Sequence, residues 1–99
     1  MNKKRVAAVL KRSRGYCEVC GSAGVELHHI LGGSGKRRQQ ERTETVIALC
    51  YHCHRGNYGV HGKNGLELNL RLKRGLQDYY FKQGMDEDKV RELMGGKLY

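Results

Sequence analysis

The sequence predicts a single α+β domain of 99 residues, with a helical segment on either side of a small centre. Three observations predict it. Two apolar runs of strand length, VELHHIL (25–31) and VIALC (46–50), lie in the first half of the chain. Each adjoins a Cys-x2-Cys turn, Cys17/Cys20 ahead of the first run and Cys50/Cys53 closing the second. Before and after this centre, apolar residues recur at the spacing of a helix face.

Lys3 to Arg14 carries Val6, Val9 and Leu10 at i, i+3 and i+4 with basic residues elsewhere, which predicts a short helix ended by Gly15. YCEVCGSAG reads as a tight turn offering two thiols, and VELHHIL as a strand. The stretch GGSGKRRQQERTET (32–45) is a loop, glycine-rich and then strongly basic. VIALC reads as a second strand, and its cysteine turn opens into HRGNYGVHG. Asn64 and Glu67 have the spacing of a capping box. Leu68, Leu72, Leu76, Tyr79 and Tyr80 then share one face of a helix running through Lys82. Gly84 predicts a stop, and Asp86 to Met94 a shorter helix ending at Gly95-Gly96. The expected organisation is a basic helix (1–14), a centre (15–63) and a C-terminal helical segment (64–99). The Leu/Tyr stripe suits packing on the core, and the same amphipathic helix suits a homodimer contact.

Nineteen Lys and Arg against ten Asp and Glu give a net charge of +9. The excess is lopsided: residues 1–63 hold twelve basic and four acidic side chains, whereas residues 64–99 hold seven and six. A basic front predicts a surface facing a polyanion, with nucleic acid as the expected partner. Lys36, Arg37, Arg38 and Arg42 in the central loop, and Arg12 and Arg14 in the N-terminal segment, are the expected phosphate contacts. Mean hydropathy is −0.71, and no apolar run approaches the ~20 residues needed to cross a bilayer. The basic N-terminus begins like an export signal, but its apolar stretch is only Val6 to Leu10 before Lys11 and Arg12 interrupt it, so an intracellular chain is expected.

A chain this short buries only about 60–65% of its unfolded surface, so a staple is expected. Cys17, Cys20, Cys50 and Cys53 supply it: two Cys-x2-Cys turns present four thiolates, which is what tetrahedral Zn²⁺ requires. Two disulfides would require an oxidising compartment, and a redox role would require a βαβ setting that the pattern lacks. Closing the cluster brings the strand carrying His28 and His29 beside His54, which directly follows Cys53. Two adjacent imidazoles are poor core fillers, because each ring nitrogen needs a partner once buried. His52, inside the second turn, reads as an exposed turn residue.

The segments CEVC, ELHHI, VIALC and CHRGNYGVH, spanning residues 16–61 approximately, resemble the HNH endonucleases. Their core is the ββα-metal, or His-Me finger, fold with a treble-clef-like zinc site, and the four-cysteine layout resembles small phage-type members. The resemblance implies a DNA endonuclease in which His28 and His54 hold a divalent ion and His29 is the general base. Mg²⁺ or Mn²⁺ is the implied ion, and a histidine-rich shell also accepts Ni²⁺ or Zn²⁺. Thr45 stands where the family has the asparagine that orients the base, and Arg55 where it can neutralise the scissile phosphate. The family's third ligand position is Tyr58 here, with His61 or Asn57 as substitutes. On a continuous helix His61 would lie about 10 Å along the axis from His54, unless Gly56 and Gly59 break it. The implied setting is the cytoplasm of a bacterial or phage-infected cell. A non-catalytic zinc-knuckle module binding nucleic acid is the competing reading, with RNA open as well as DNA; an RNA-binding translation factor would leave the HH and CH pairs unexplained.

Overall fold

A computed structural model describes residues 2–32 and 42–99; Lys36, Arg37 and Arg38 lie outside the described residues. The first element is helix α1, Lys3–Ser13. Asn2 caps it by accepting the Arg5 N–H at 2.8 Å. Its other end turns through Arg14 and the expected Gly15, both left-handed (φ 58° and 80°), and the Arg14 N–H closes on Leu10 O at 2.7 Å. Val9, on the inner face, packs with Val46 and Ala48.

Strands β1 (Glu26–His29) and β2 (Val46–Leu49) form a two-stranded antiparallel sheet. Glu26 stands opposite Leu49 and His28 opposite Ile47. Both strands are shorter than their apolar runs. Ile30 and Leu31 leave the ladder to enter a cluster with Leu76, Tyr80, Val90 and Met94. A 3₁₀ turn, Thr43–Thr45, leads into β2, and the short helix α2, Tyr51–Arg55, follows it.

Helix α3 runs Leu66–Lys82 and helix α4 Glu87–Leu93. Within the leucine and tyrosine stripe, Leu76 and Tyr80 are buried, Leu68 and Leu72 are partly so, and Tyr79 is exposed. The expected cap at Asn64 is replaced. Gly65 is the N-cap, and Asn64 instead bridges to Asn57, backbone to backbone at 2.8 Å and amide to amide at 3.2 Å. α4 is capped by Asp86, whose carboxylate accepts the Lys89 N–H at 2.8 Å.

Two arginines expected on phosphate are committed within the protein. Arg12 grips Glu18 with two bonds of 2.6 and 2.9 Å and donates to Thr43 O at 3.0 Å and Val46 O at 2.6 Å. Four donations leave its fork little to offer a ligand. Glu18 in turn accepts the Ala48 N–H at 2.8 Å, so this pair ties α1 and the first cysteine turn to β2. Arg42 donates to Glu44, to the Tyr80 hydroxyl and to Leu93 O at 3.2, 2.9 and 2.9 Å. It thereby fastens the 3₁₀ turn to α3 and α4. Burial raises the Tyr80 hydroxyl to about 12, so it stays protonated and donates to Glu44 at 3.1 Å. Arg14 is exposed at the end of α1. Among the described residues, no helix is long and apolar enough to cross a membrane.

Candidate metal centres

The four cysteines are free thiols whose sulfurs all lie within 4.8 Å of one another. Cys20 and Cys50 are 3.5 Å apart, close to the edge of about 3.7 Å that four thiolates at ~2.3 Å make around a tetrahedral ion. The first turn is shaped for this, with the N–H groups of Val19 and Cys20 directed at the Cys17 sulfur at 3.4 and 3.5 Å. Burial pushes the Cys17 thiol up, but N–H donors from Cys20, Cys50 and Val19 outweigh it and favour the thiolate. The Ser22 hydroxyl leads the groups that bring Cys20 down to about 6. Cys53 is pushed the other way by burial and its sulfur neighbours. Crowded sulfurs with some held as thiolate can bind a metal such as zinc, with every ligand supplied by the protein.

A second cluster is made of imidazoles. His28 on β1, His54 on α2 and His61 in the loop beyond bring their ring nitrogens within 4.8 Å of one another. The rings sit 5.3, 5.1 and 4.8 Å apart between centroids. His28 and His54 are 7% and 5% exposed, and His61 is open to solvent. His61 arrives because α2 stops at Arg55 and the chain doubles back. The Val60 N–H bonds Cys53 O and the His61 N–H bonds His54 O, both at 2.9 Å. Such closeness requires glycine: a Cβ on Gly59 would stand 2.5 Å from His52 O. Tyr58 points outward at 72% exposure, and the Asn57 amide is taken by Asn64. The residue brought to the other two imidazoles is therefore His61.

The sequence reading missed Glu26. Its carboxylate meets His54 Nδ1 at 3.0 Å and Arg55 Nε at 3.1 Å. His54 and then Arg55 hold this carboxyl below its ordinary range, so it is ionised and receives the Nδ1 proton. That leaves His54 Nε2 as the lone-pair nitrogen, the arrangement in which a carboxylate orients a metal-binding imidazole. The available signal was spacing, since Glu26 and His28 are i and i+2 on one strand and share a face. Arg55, placed by the sequence at a scissile phosphate, bonds this same carboxylate from an exposed position. His28 is brought down to about 4, first by burial, then by His61, His54, His29 and Lys73. It is therefore neutral, with its lone pair free, at neutral pH.

His29 is half-buried and lines a hollow of about 300 Å³ together with the three clustered imidazoles. Asn69 and Lys73 of α3, neither anticipated, complete its wall. Thr45 is buried at the end of the 3₁₀ turn, one residue ahead of β2. Its hydroxyl donates to Arg42 O at 3.0 Å and accepts the Arg42 N–H at 2.9 Å, which builds the 3₁₀ turn. The Thr45 carbonyl takes the Ile30 N–H at 2.9 Å. His52 is exposed against the Tyr51 ring. A larger, apolar hollow of about 590 Å³ lies between α3 and the sheet, and among the described residues no imidazole or thiol lines it. Compared with protein-family models, curated proteins and solved structures, the chain matches none.

Proposed function

We propose that β1, β2 and α2 form a ββα-metal motif of the HNH type, and that the protein is a metal-dependent endonuclease acting on DNA. One observation carries the reading: His28, His54 and His61 converge from three elements, with His29 on the same open hollow and a separate thiol cluster bracing α2. A structural zinc at the cysteines and a second ion at the imidazoles are the implied cofactors. Three imidazole ligands suit transition-metal ions ahead of Mg²⁺, so Zn²⁺, Ni²⁺ or Mn²⁺ is the expected second ion. That ion would supply positive charge to the phosphodiester as negative charge develops on it.

The chain's own residues do the rest. His29 takes a proton from water to make the nucleophile. Glu26 keeps the His54 ring turned with Nε2 toward its partners. The open side at His61 admits a strand. Arg55, held to Glu26, adds positive charge at the rim.

The test is plasmid nicking with Mn²⁺, Ni²⁺, Zn²⁺ and Mg²⁺. His29→Ala is expected to lower the rate by about 10²–10⁴-fold, with zinc content and DNA affinity retained. The thiol cluster, complete without the imidazoles, also suits a second reading, a non-catalytic zinc-knuckle module. Wild-type protein that binds nucleic acid yet nicks with no divalent ion would establish that module instead.

A further inference from the structure

The groove leaving the imidazole hollow has a chemistry of its own. Lys73, at the middle of α3, lines that hollow and also a neighbouring one of about 240 Å³, which Lys97 and Tyr99 line as well. Gly32 and Lys73 are the wall shared by the two. The Lys73 and Lys97 ammoniums sit 5.0 and 5.2 Å from the centre of the Tyr99 ring, hence within about 10 Å of each other. The backbone that carries this ring is held by Gln77 of α3. Gln77 accepts the Tyr99 N–H at 2.8 Å and donates to the Tyr99 carbonyl at 3.2 Å.

Two ammoniums gathered on one ring repel each other unless an anion joins them. Among the described residues no Asp or Glu lines either hollow. Three other cations of the same helices are paired, Lys82 with Asp78, Lys89 with Glu92, and Arg91 with Glu87. The near-neutral charge of residues 64–99 thus hides two lysines that no Asp or Glu side chain joins among the described residues beside the candidate site.

We propose that this groove is the track of a phosphodiester strand, in which Lys73 and Lys97 bind the phosphates that follow, on one side, the one at the imidazoles. The proposal rests on reading the imidazole hollow as the phosphodiester site. It adds what that reading lacks, namely the direction in which the strand leaves. Phosphates of one strand are spaced about 3.4 Å along a duplex axis, so the two ammoniums span no more than about three steps between them.

The experiment is fluorescence anisotropy on the zinc-loaded full chain carrying His29→Ala, with a labelled 20-base-pair duplex and its single strand, across a salt series. On the duplex, Lys73→Met with Lys97→Met should reduce the slope of log affinity against log salt by about 1.8, at ~0.9 per phosphate contact. On the single strand the reduction should be about 1.4, at ~0.7 per contact. A reduction on either probe supports the track and shows which form it takes. Lys73→Arg with Lys97→Arg should keep the full slope, and so should Lys89→Met, whose charge is already paired. An unchanged slope in the double methionine variant, or an equal drop in Lys89→Met, overturns the proposal. The absence of nicking by wild-type protein would defeat the nuclease reading while leaving this slope measurable, so the two failures are distinguishable. Where wild type nicks, the double methionine variant should raise KM more than it lowers kcat.

Discussion

Replacing Gly59 by alanine tests how His61 reaches its partners. The new Cβ would stand 2.5 Å from His52 O and 2.8 Å from Cys53 O, whereas ordinary contact begins at 3.4 Å. Both obstacles are backbone atoms of α2 and cannot swing aside, so the loop must retreat by the 0.9 Å that separates 2.5 from 3.4. The retreat strains the bonds from Val60 and His61 back to α2, each 2.9 Å long. Metal sites hold their ligand distances to about 0.2 Å, so a shift of this size removes His61 from a shared ion. Overpacking of this kind costs about 1–3 kcal/mol, which lowers the melting temperature of a domain this small by roughly 4–24 °C. Affinity for Ni²⁺ at the imidazoles should fall by at least the ~10-fold that a disturbed outer-shell partner costs. Isothermal titration of Ni²⁺ into zinc-loaded protein, with scanning calorimetry, reads both effects. Gly75→Ala is the comparison. Its Cβ meets nothing within 4 Å inside α3, so it should stabilise by about 1 kcal/mol and leave Ni²⁺ binding alone. Unchanged Ni²⁺ affinity in Gly59→Ala, or equal destabilisation by the two substitutions, would refute the close-approach argument.

Glu26→Gln should weaken Ni²⁺ binding by about 10–100-fold, because the His54 Nδ1 proton loses its carboxylate; titration giving wild-type affinity would show that His54 is oriented by packing alone. Cys50→Ser removes a buried ligand of the thiol cluster, so the protein should lose zinc by elemental analysis and its dispersed amide spectrum together; a folded, zinc-free variant would contradict this. His28 should stay neutral in the ring-proton NMR spectrum from pH 8 to 5. Its folded value of about 4 lies below the ordinary 6.5, so protons favour the unfolded chain. The stability it contributes is whole above pH 6.5 and is lost as pH falls toward 4, at up to about 1.4 kcal/mol per pH unit. A His28 midpoint near 6.5 would remove the argument from burial.

Local pattern made the helices legible. The leucine and tyrosine spacing located α3 to its last residue, and Asp86 began α4 where an acidic cap was available. The cysteine spacing likewise located the thiol cluster, since two tight turns need only be brought together once. What local pattern could not show was competition from afar. Asn64 has the right identity and spacing for a cap, yet Asn57 claims it across the glycine loop. Arg12 and Arg42 counted as free charge because their carbonyl acceptors lie 31 to 51 residues away. His61 was ambiguous for a related reason. Gly56 and Gly59 announced a break after α2, but the direction of the returning chain depends on backbone packing against His52 and Cys53. Lys73 and Lys97 disappeared into a balanced total, because summed charge does not record which cations have found carboxylates.

The strand bearing the two adjacent imidazoles is slung between unlike moorings. Ahead of it, the chain is gripped by sulfur; immediately behind it, Ile30 and Leu31 sink into apolar side chains contributed by α3 and α4. A fragment trimmed to residues 15–63 would bare those two residues and leave the Arg42 guanidinium without Tyr80 and Leu93. The middle of this protein is thus no portable cassette, and transplanting its chemistry to another scaffold means carrying the last two helices along.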